Sequence, residues 1–243
     1  MQYDWIILGA TFTAAGMASV LGDRALILES RPQAGYEFIS AMKHGTMPTE
    51  PGTPGAKALY DAFAEKGVFD GEIPCLFSAA APFYERLRGK NVLLNLTPVE
   101  AERVEGGFRV TAHGVSGFRE FTARRMVDTR VHPWQIVEKR LNLLITPPAG
   151  EIPAVKYGPD GDLLISCPLS LTDDWPTARQ KAAELLKKLP AEARLLITAD
   201  EFDYSLQPIP LPENGIDHLP SAGFANPVEA FEAGERFAKE VVL

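Results

Sequence analysis

Four positions near the amino end carry the clearest chemical signal in the chain: Gly9, Thr11, Ala14 and Glu29. Gly9 ends the apolar run Trp5-Ile6-Ile7-Leu8, as a glycine does when a buried parallel strand turns tightly into a helix. Thr13 to Leu21 is Ala-rich and repeats apolar residues at helical spacing (Ala14, Met17, Ala18, Leu21). A second apolar run, Ala25 to Leu28, stops at Glu29. A helix N-terminus attracts anions, and a carboxylate at the end of the second strand accepts hydrogen bonds from ribose hydroxyls. The chemistry these residues point to is dinucleotide binding. Gly9, Thr11 and Ala14 stand where the fingerprint has Gly, Gly and Gly or Ala. Thr11 therefore puts a β-branched side chain where a backbone should approach a pyrophosphate, although its hydroxyl could itself donate to phosphate.

The elements that must position these residues follow in order. Ser30 to Gly52 is a long polar connection. Thr53-Pro54 opens a helix that ends before Gly67, and a second helix is expected over Ser78 to Arg88 with Pro82 confined to its first turn. Asn91 to Leu96 reads as a strand. Val99 to Glu105, Phe108 to His113 and Phe118 to Thr122 are short runs separated by glycine turns, a β-meander. Met126 to Thr129 reads as a separate strand returning to the main sheet. From His132 the character changes. Leu141 to Thr146, Val155 to Tyr157, Leu163 to Cys167 and Leu195 to Thr198 read as strands, and a helix capped by Asp173 or Asp174 runs to Leu189. At the end, Asn226 caps a helix from Pro227 to Val242 that carries a stripe of Ala230, Gly234 and Ala238.

The fold class expected is α/β: a Rossmann-like FAD/NAD(P)-binding fold with a β-meander, formed by residues 1–131 and 206–243, plus a small α+β substrate-type lobe over 132–205. The chain has 243 residues, 46% of them hydrophobic, and a formal net charge of −8. Without a basic stretch, nucleic acid and membrane surfaces are not expected partners. Two distant cysteines, Cys75 and Cys167, predict free buried thiols in a reducing compartment, and with no basic leader the expected localisation is cytoplasmic.

The order of parts resembles the FAD-dependent oxidoreductases of the two-dinucleotide-fold flavoprotein group, as a short member. The resemblance rests on the βαβ unit ending in Glu29, the meander, the strand Met126 to Thr129, and Gly223 before the closing helix. It implies FAD as cofactor. Gly9, Thr11 and Ala14 then fall on the pyrophosphate loop, and Glu29 on the ribose ligand with Ser30 and Arg31 beside it. Val99 falls on the residue whose backbone meets the adenine, and Gly223 and Phe224 on the closing Gly-Asp pair. Three departures lie on the cofactor path: Thr11 for glycine, Asp128-Thr129-Arg130 for Asp-Ala-Thr-Gly, and Phe224 for aspartate. Arg31, Lys43 or Arg130 could neutralise a pyrophosphate in place of the missing backbone approach. Three readings follow: an FAD-dependent oxidoreductase of an unknown small molecule, a cofactor-free fold serving as a binding or scaffolding subunit with itself or another protein, and an NAD-dependent dehydrogenase.

Outside these motifs, His44 is the weak candidate for a proton shuttle. His132-Pro133-Trp134 reads as a hinge into the second lobe, Asp173-Asp174 as a helix cap, and Glu201 with Asp203 as a solvated strand face. His113 and His218 stand in no motif, and the histidines and cysteines show no metal-ligand spacing.

Overall fold

A computed structural model describes residues 2–43, 45–147, 152, 154–157, 161–207 and 215–242. Strand β1 (Gln2–Leu8) lies at the centre of the first sheet, parallel to β2 (Ala25–Leu28) on one side and to β6 (Gly117–Asp128) on the other. Adding β3 (Asn91–Leu93), β4 (Thr97–Val104), β5 (Gly107–Gly114) and β12 (Asp217–His218) gives the order β3-β2-β1-β6-β5-β4, with β12 beside β6. The side-chain period of two divides the central strands between two cores. Trp5, Ile7, Ala25 and Ile27 pack with the helices, while Ile6, Leu8, Leu26 and Leu28 pack with meander residues Phe108, Val110 and Phe121. Burial on both faces is why these runs read as continuously apolar.

The helical layer is α1 (Phe12–Leu21), α2 (Pro54–Glu65), α3 (Leu76–Leu87) and α5 (Pro227–Val242). Helices α1 and α5 touch backbone to backbone. A Cβ at Gly16 would lie 2.0 Å from the Phe231 carbonyl oxygen, and one at Gly234 2.1 Å from that of Thr13. The small-residue stripe of α5 thus faces α1, with Ala230 and Ala238 fully buried.

The second sheet has the order β10-β7-β9-β8, with β11 also on β7. Its strands are β7 (Ile136–Ile145), β8 (Val155–Lys156), β9 (Leu163–Leu169), β10 (Leu195–Thr198) and β11 (Asp203–Leu206). Helix α4 (Trp175–Leu186) covers it, and its N-cap Asp174 accepts from the Thr177 N–H at 3.0 Å. The lobes are tied by buried polar contacts. Lys43 Nζ pairs with Asp203 at 3.0 Å, and the Asn142 amide donates to the carbonyls of Ala41 and Met42.

Several expectations change: β3 ends at Leu93 instead of Leu96, and α3 runs from Leu76 to Leu87 instead of Ser78 to Arg88. Pro82 sits in the interior of α3, not in its first turn. The meander exit is not a separate strand: β6 runs unbroken from the hairpin to Asp128, its exposed Arg124 and Arg125 hiding the continuity. Strand β7 starts at Ile136 and α4 ends at Leu186. Residues 158–160, between the expected strands Val155 to Tyr157 and Leu163 to Cys167, lie outside those described.

Candidate dinucleotide seat

The C-terminal ends of β1 and β2 and the start of α1 form the place where an open α/β sheet binds a dinucleotide. Gly9 makes the turn with φ +95°, and a Cβ there would meet Arg130 Cγ at 2.7 Å. Thr11 is the N-cap of α1: its Oγ1 accepts from the Ala14 N–H at 3.1 Å and donates to Thr129 Oγ1 at 2.8 Å. Thr129 Oγ1 in turn donates to the Leu8 carbonyl at 2.9 Å. The residue replacing the second glycine is therefore clasped by the residue after β6, and both are buried.

The N–H groups of Ala10, Phe12 and Thr13 are taken from within the chain. Glu29 Oε2 accepts from the Ala10 N–H at 2.9 Å, and its Oε1 from the Arg31 N–H at 2.8 Å and the Ser30 hydroxyl at 3.1 Å. Glu37 Oε1 accepts from the Phe12 N–H at 2.8 Å and the Ser221 hydroxyl at 2.6 Å. The Thr13 N–H points to Ser221 Oγ at 3.3 Å. A carboxylate thus occupies the positive end of α1, where a phosphate would otherwise sit. Burial pushes the Glu37 carboxyl up to about 7, against the opposing donation from Ser221 and Phe12. Its Oε1 serves as acceptor in either protonation state.

The three cations considered as pyrophosphate partners are committed elsewhere. Arg31 pairs with Glu201 (2.5 Å) and lies 3.7 Å over the Tyr36 ring. Lys43 pairs with Asp203 and donates to the Tyr204 carbonyl, and Arg130 takes both oxygens of Asp128 (2.9 and 2.7 Å). Glu201 and Asp203 are accordingly interlobe ion-pair partners, not a solvated face. Beside the seat a cavity of about 350 Å³ opens between the lobes, lined in part by Arg31, Tyr36, Arg130, His132, Glu201 and Tyr204.

The other predicted positions are scattered. Ala14 is buried inside α1, as close packing requires. Gly223 ends a short 3-10 turn, and Phe224 packs against the helical core. Asn226 Oδ1 accepts from the Glu229 N–H at 2.9 Å, capping α5. Val99 lies on the edge strand β4 and is 54% exposed. Leu96, not Val99, contacts the seat strand, donating its N–H to the Glu29 carbonyl at 2.9 Å. His44 lies outside the described residues. Sequence reasoning missed Glu37, Ser221 and, as a hydrogen-bonding partner, Thr129. The Gly35-Tyr36-Glu37 stretch of the long connection was the available signal.

No family model and no curated protein sequence matches the chain. Solved structures do. The p-nitrophenol 4-monooxygenase of Pseudomonas putida DLL-E4 superposes with a TM-score of 0.62 at 13% identity, covering 99% of this chain and 78% of that one. The anhydrotetracycline hydroxylase of Streptomyces rimosus gives 0.63 at 14% identity, covering 100% and 63%. Aklavinone-11 hydroxylase, in a ternary complex with FAD and aklavinone, gives 0.56 at 10% identity, covering 98% and 62%. The chain has the fold of the FAD-dependent oxidoreductases, with a Rossmann-like sheet, meander and second lobe. At these identities the likeness is one of fold.

The seat itself does not fit FAD as arranged. A pyrophosphate needs free N–H groups at the helix start and room for close approach. Here the N–H groups of Ala10, Phe12, Thr13 and Ala14 all have partners within the chain, and Ala10, Thr11 and Phe12 are fully buried.

Proposed function

We propose that this protein keeps the flavoprotein oxidoreductase fold but fills the dinucleotide seat with its own side chains, and works as a binding subunit. The observation that carries this reading is the carboxylate of Glu37 on the N-terminus of α1, bonded to Phe12 and Ser221. The space beside the seat for a ligand is the interlobe cavity, which lies at the small end of the range for ligand sites, about 300–1,000 Å³. Its mixed lining of two arginines, two tyrosines and two glutamates suits a small polar molecule. A protein partner is supported by β10, where Leu195, Leu196 and Ile197 are each more than two-fifths exposed on an edge strand. Such an edge pairs readily with another strand.

The test is thermal melting of the purified chain with excess FAD or NAD, together with light scattering. An unmoved melting point and an assembled state are expected. A melting point raised by FAD would favour the second reading, an FAD-dependent oxidoreductase of an unknown small molecule. The likeness over nearly the whole chain to hydroxylases and monooxygenases is what supports that reading. An NAD-dependent dehydrogenase is weaker, because Glu29 spends its carboxylate on Ala10, Ser30 and Arg31.

A further inference from the structure

We propose that Asp128, His132 and His218 form a site for a divalent transition cation such as Zn2+. One ligand atom from each lies within 4.8 Å of the others. The sequence separates them, but the sheet joins them. β12 runs parallel to β6 with His218 registered against Asp128, so their side chains leave the same face at neighbouring strand ends. His132 follows Asp128 by one short loop. Its backbone is pinned by Gln135: the His132 N–H donates to Gln135 Oε1 at 3.0 Å, and the Gln135 N–H to the His132 carbonyl at 3.0 Å.

The three ligand atoms stand close to one another. His132 Nε2 stands 3.1 Å from Asp128 Oδ2 without the alignment of an N–H···O bond. Ligand atoms around a tetrahedral zinc ion are separated by about 3.3 Å, so the triad needs only a modest contraction. The imidazole rings of His132 and His218 meet edge to face at 5.1 Å, and Trp134 stacks on His132. Two imidazoles with one carboxylate suit Zn2+, Co2+ or Ni2+ in preference to Mg2+ or Ca2+. The facing charge that opposes a cation is Arg130, whose guanidinium shares Asp128. Oδ1 takes both the backbone N–H and the Nε–H of Arg130, while Oδ2 takes one Arg130 donor and keeps a further lone pair for the ion. His132 lines the interlobe cavity and His218 lines a second hollow with Leu206, Gln207 and Phe224. Three protein ligands leave a fourth position, the arrangement of sites that bind water or a ligand on the metal.

The test is calorimetric titration of the untagged full chain with Zn2+, with Co2+ as a visible probe. Saturable one-to-one binding at micromolar or tighter affinity is expected. His132→Ala and His218→Asn should each weaken it about tenfold or more, while His113→Ala, on an exposed histidine, leaves it unchanged. Co2+ should give visible ligand-field bands that the His132→Ala/His218→Asn double variant loses while keeping the native circular dichroism. No saturation up to ~1 mM Zn2+, or a folded double variant that binds like the parent, would overturn the proposal.

Discussion

The Ser221 hydroxyl donates to Glu37 Oε1 at 2.6 Å, joining the connection after β2 to the turn before α5 directly over the start of α1. These two residues meet where a dinucleotide phosphate would lie, and they close the seat from opposite ends of the chain. The same Oε1 takes the Phe12 N–H, so one carboxylate oxygen fixes a helix, a loop and a turn.

Glu37 should make stability fall with rising pH. Its folded pKa is raised to about 7 from 4.5, so the folded chain holds this proton more tightly than the unfolded one. The contribution is fully present below the unfolded value and is lost as pH rises through about 7. Denaturant midpoints taken from pH 5 to pH 8 should show a decline worth at most about 3 kcal/mol. Glu37→Gln should flatten that decline, and an unchanged slope in the variant would show that Glu37 is not its source.

Restoring the missing glycine should not restore the cofactor. Thr11→Gly removes the cap on Ala14 and the bond to Thr129, at a cost of about 1–2 kcal/mol. Glu37 and Ser221 still hold Phe12 and Thr13, so the variant should gain no flavin affinity. Tight flavin binding by Thr11→Gly alone would place the block at Thr11.

The pair Lys43–Asp203 bridges the lobes with both side chains buried. Lys43→Met removes the ammonium beside the Asp203 carboxylate, which keeps the Arg140 guanidinium at 3.8 Å and the Asn142 amide at 3.3 Å, and should cost about 1–3 kcal/mol. Replacing both by apolar residues should recover much of the loss, because the second charge is then gone as well. Urea unfolding of the two variants checks this ordering.

Gly234→Ala should separate α5 from α1. The added methyl would meet the Thr13 carbonyl oxygen at 2.1 Å, against backbone that cannot rotate away. A loss of about 3 kcal/mol is expected, read as a lower denaturation midpoint. Substitution at Gly22, where a Cβ meets nothing within 4 Å, should not crowd any neighbour.

The βαβ unit, the helix start at Thr53-Pro54, the caps at Asp174 and Asn226 and the close helix stripe were legible because each is a local pattern of period and cap, although the Thr53 hydroxyl bonds Glu235 instead of capping its helix. Pro82 within α3 was not, since tertiary packing of its buried ring overrides a helix breaker. The glycine defect at Thr11 pointed to the right place, but its meaning lay elsewhere. Whether a lost glycine is tolerated depends on what else takes the helix N–H groups. Those partners, Glu37 and Ser221, lie 25 and 208 residues along the chain from the helix N–H groups they meet. The triad Asp128, His132 and His218 escaped for the same reason, being assembled by the parallel pairing of β12 with β6.

If the Glu37 carboxylate fills the seat, flavin has no place to bind. The absorbance spectrum of the purified protein after incubation with excess FAD and desalting decides this. No flavin bands are expected. Stoichiometric flavin carried through the column by the unaltered protein would contradict a filled seat.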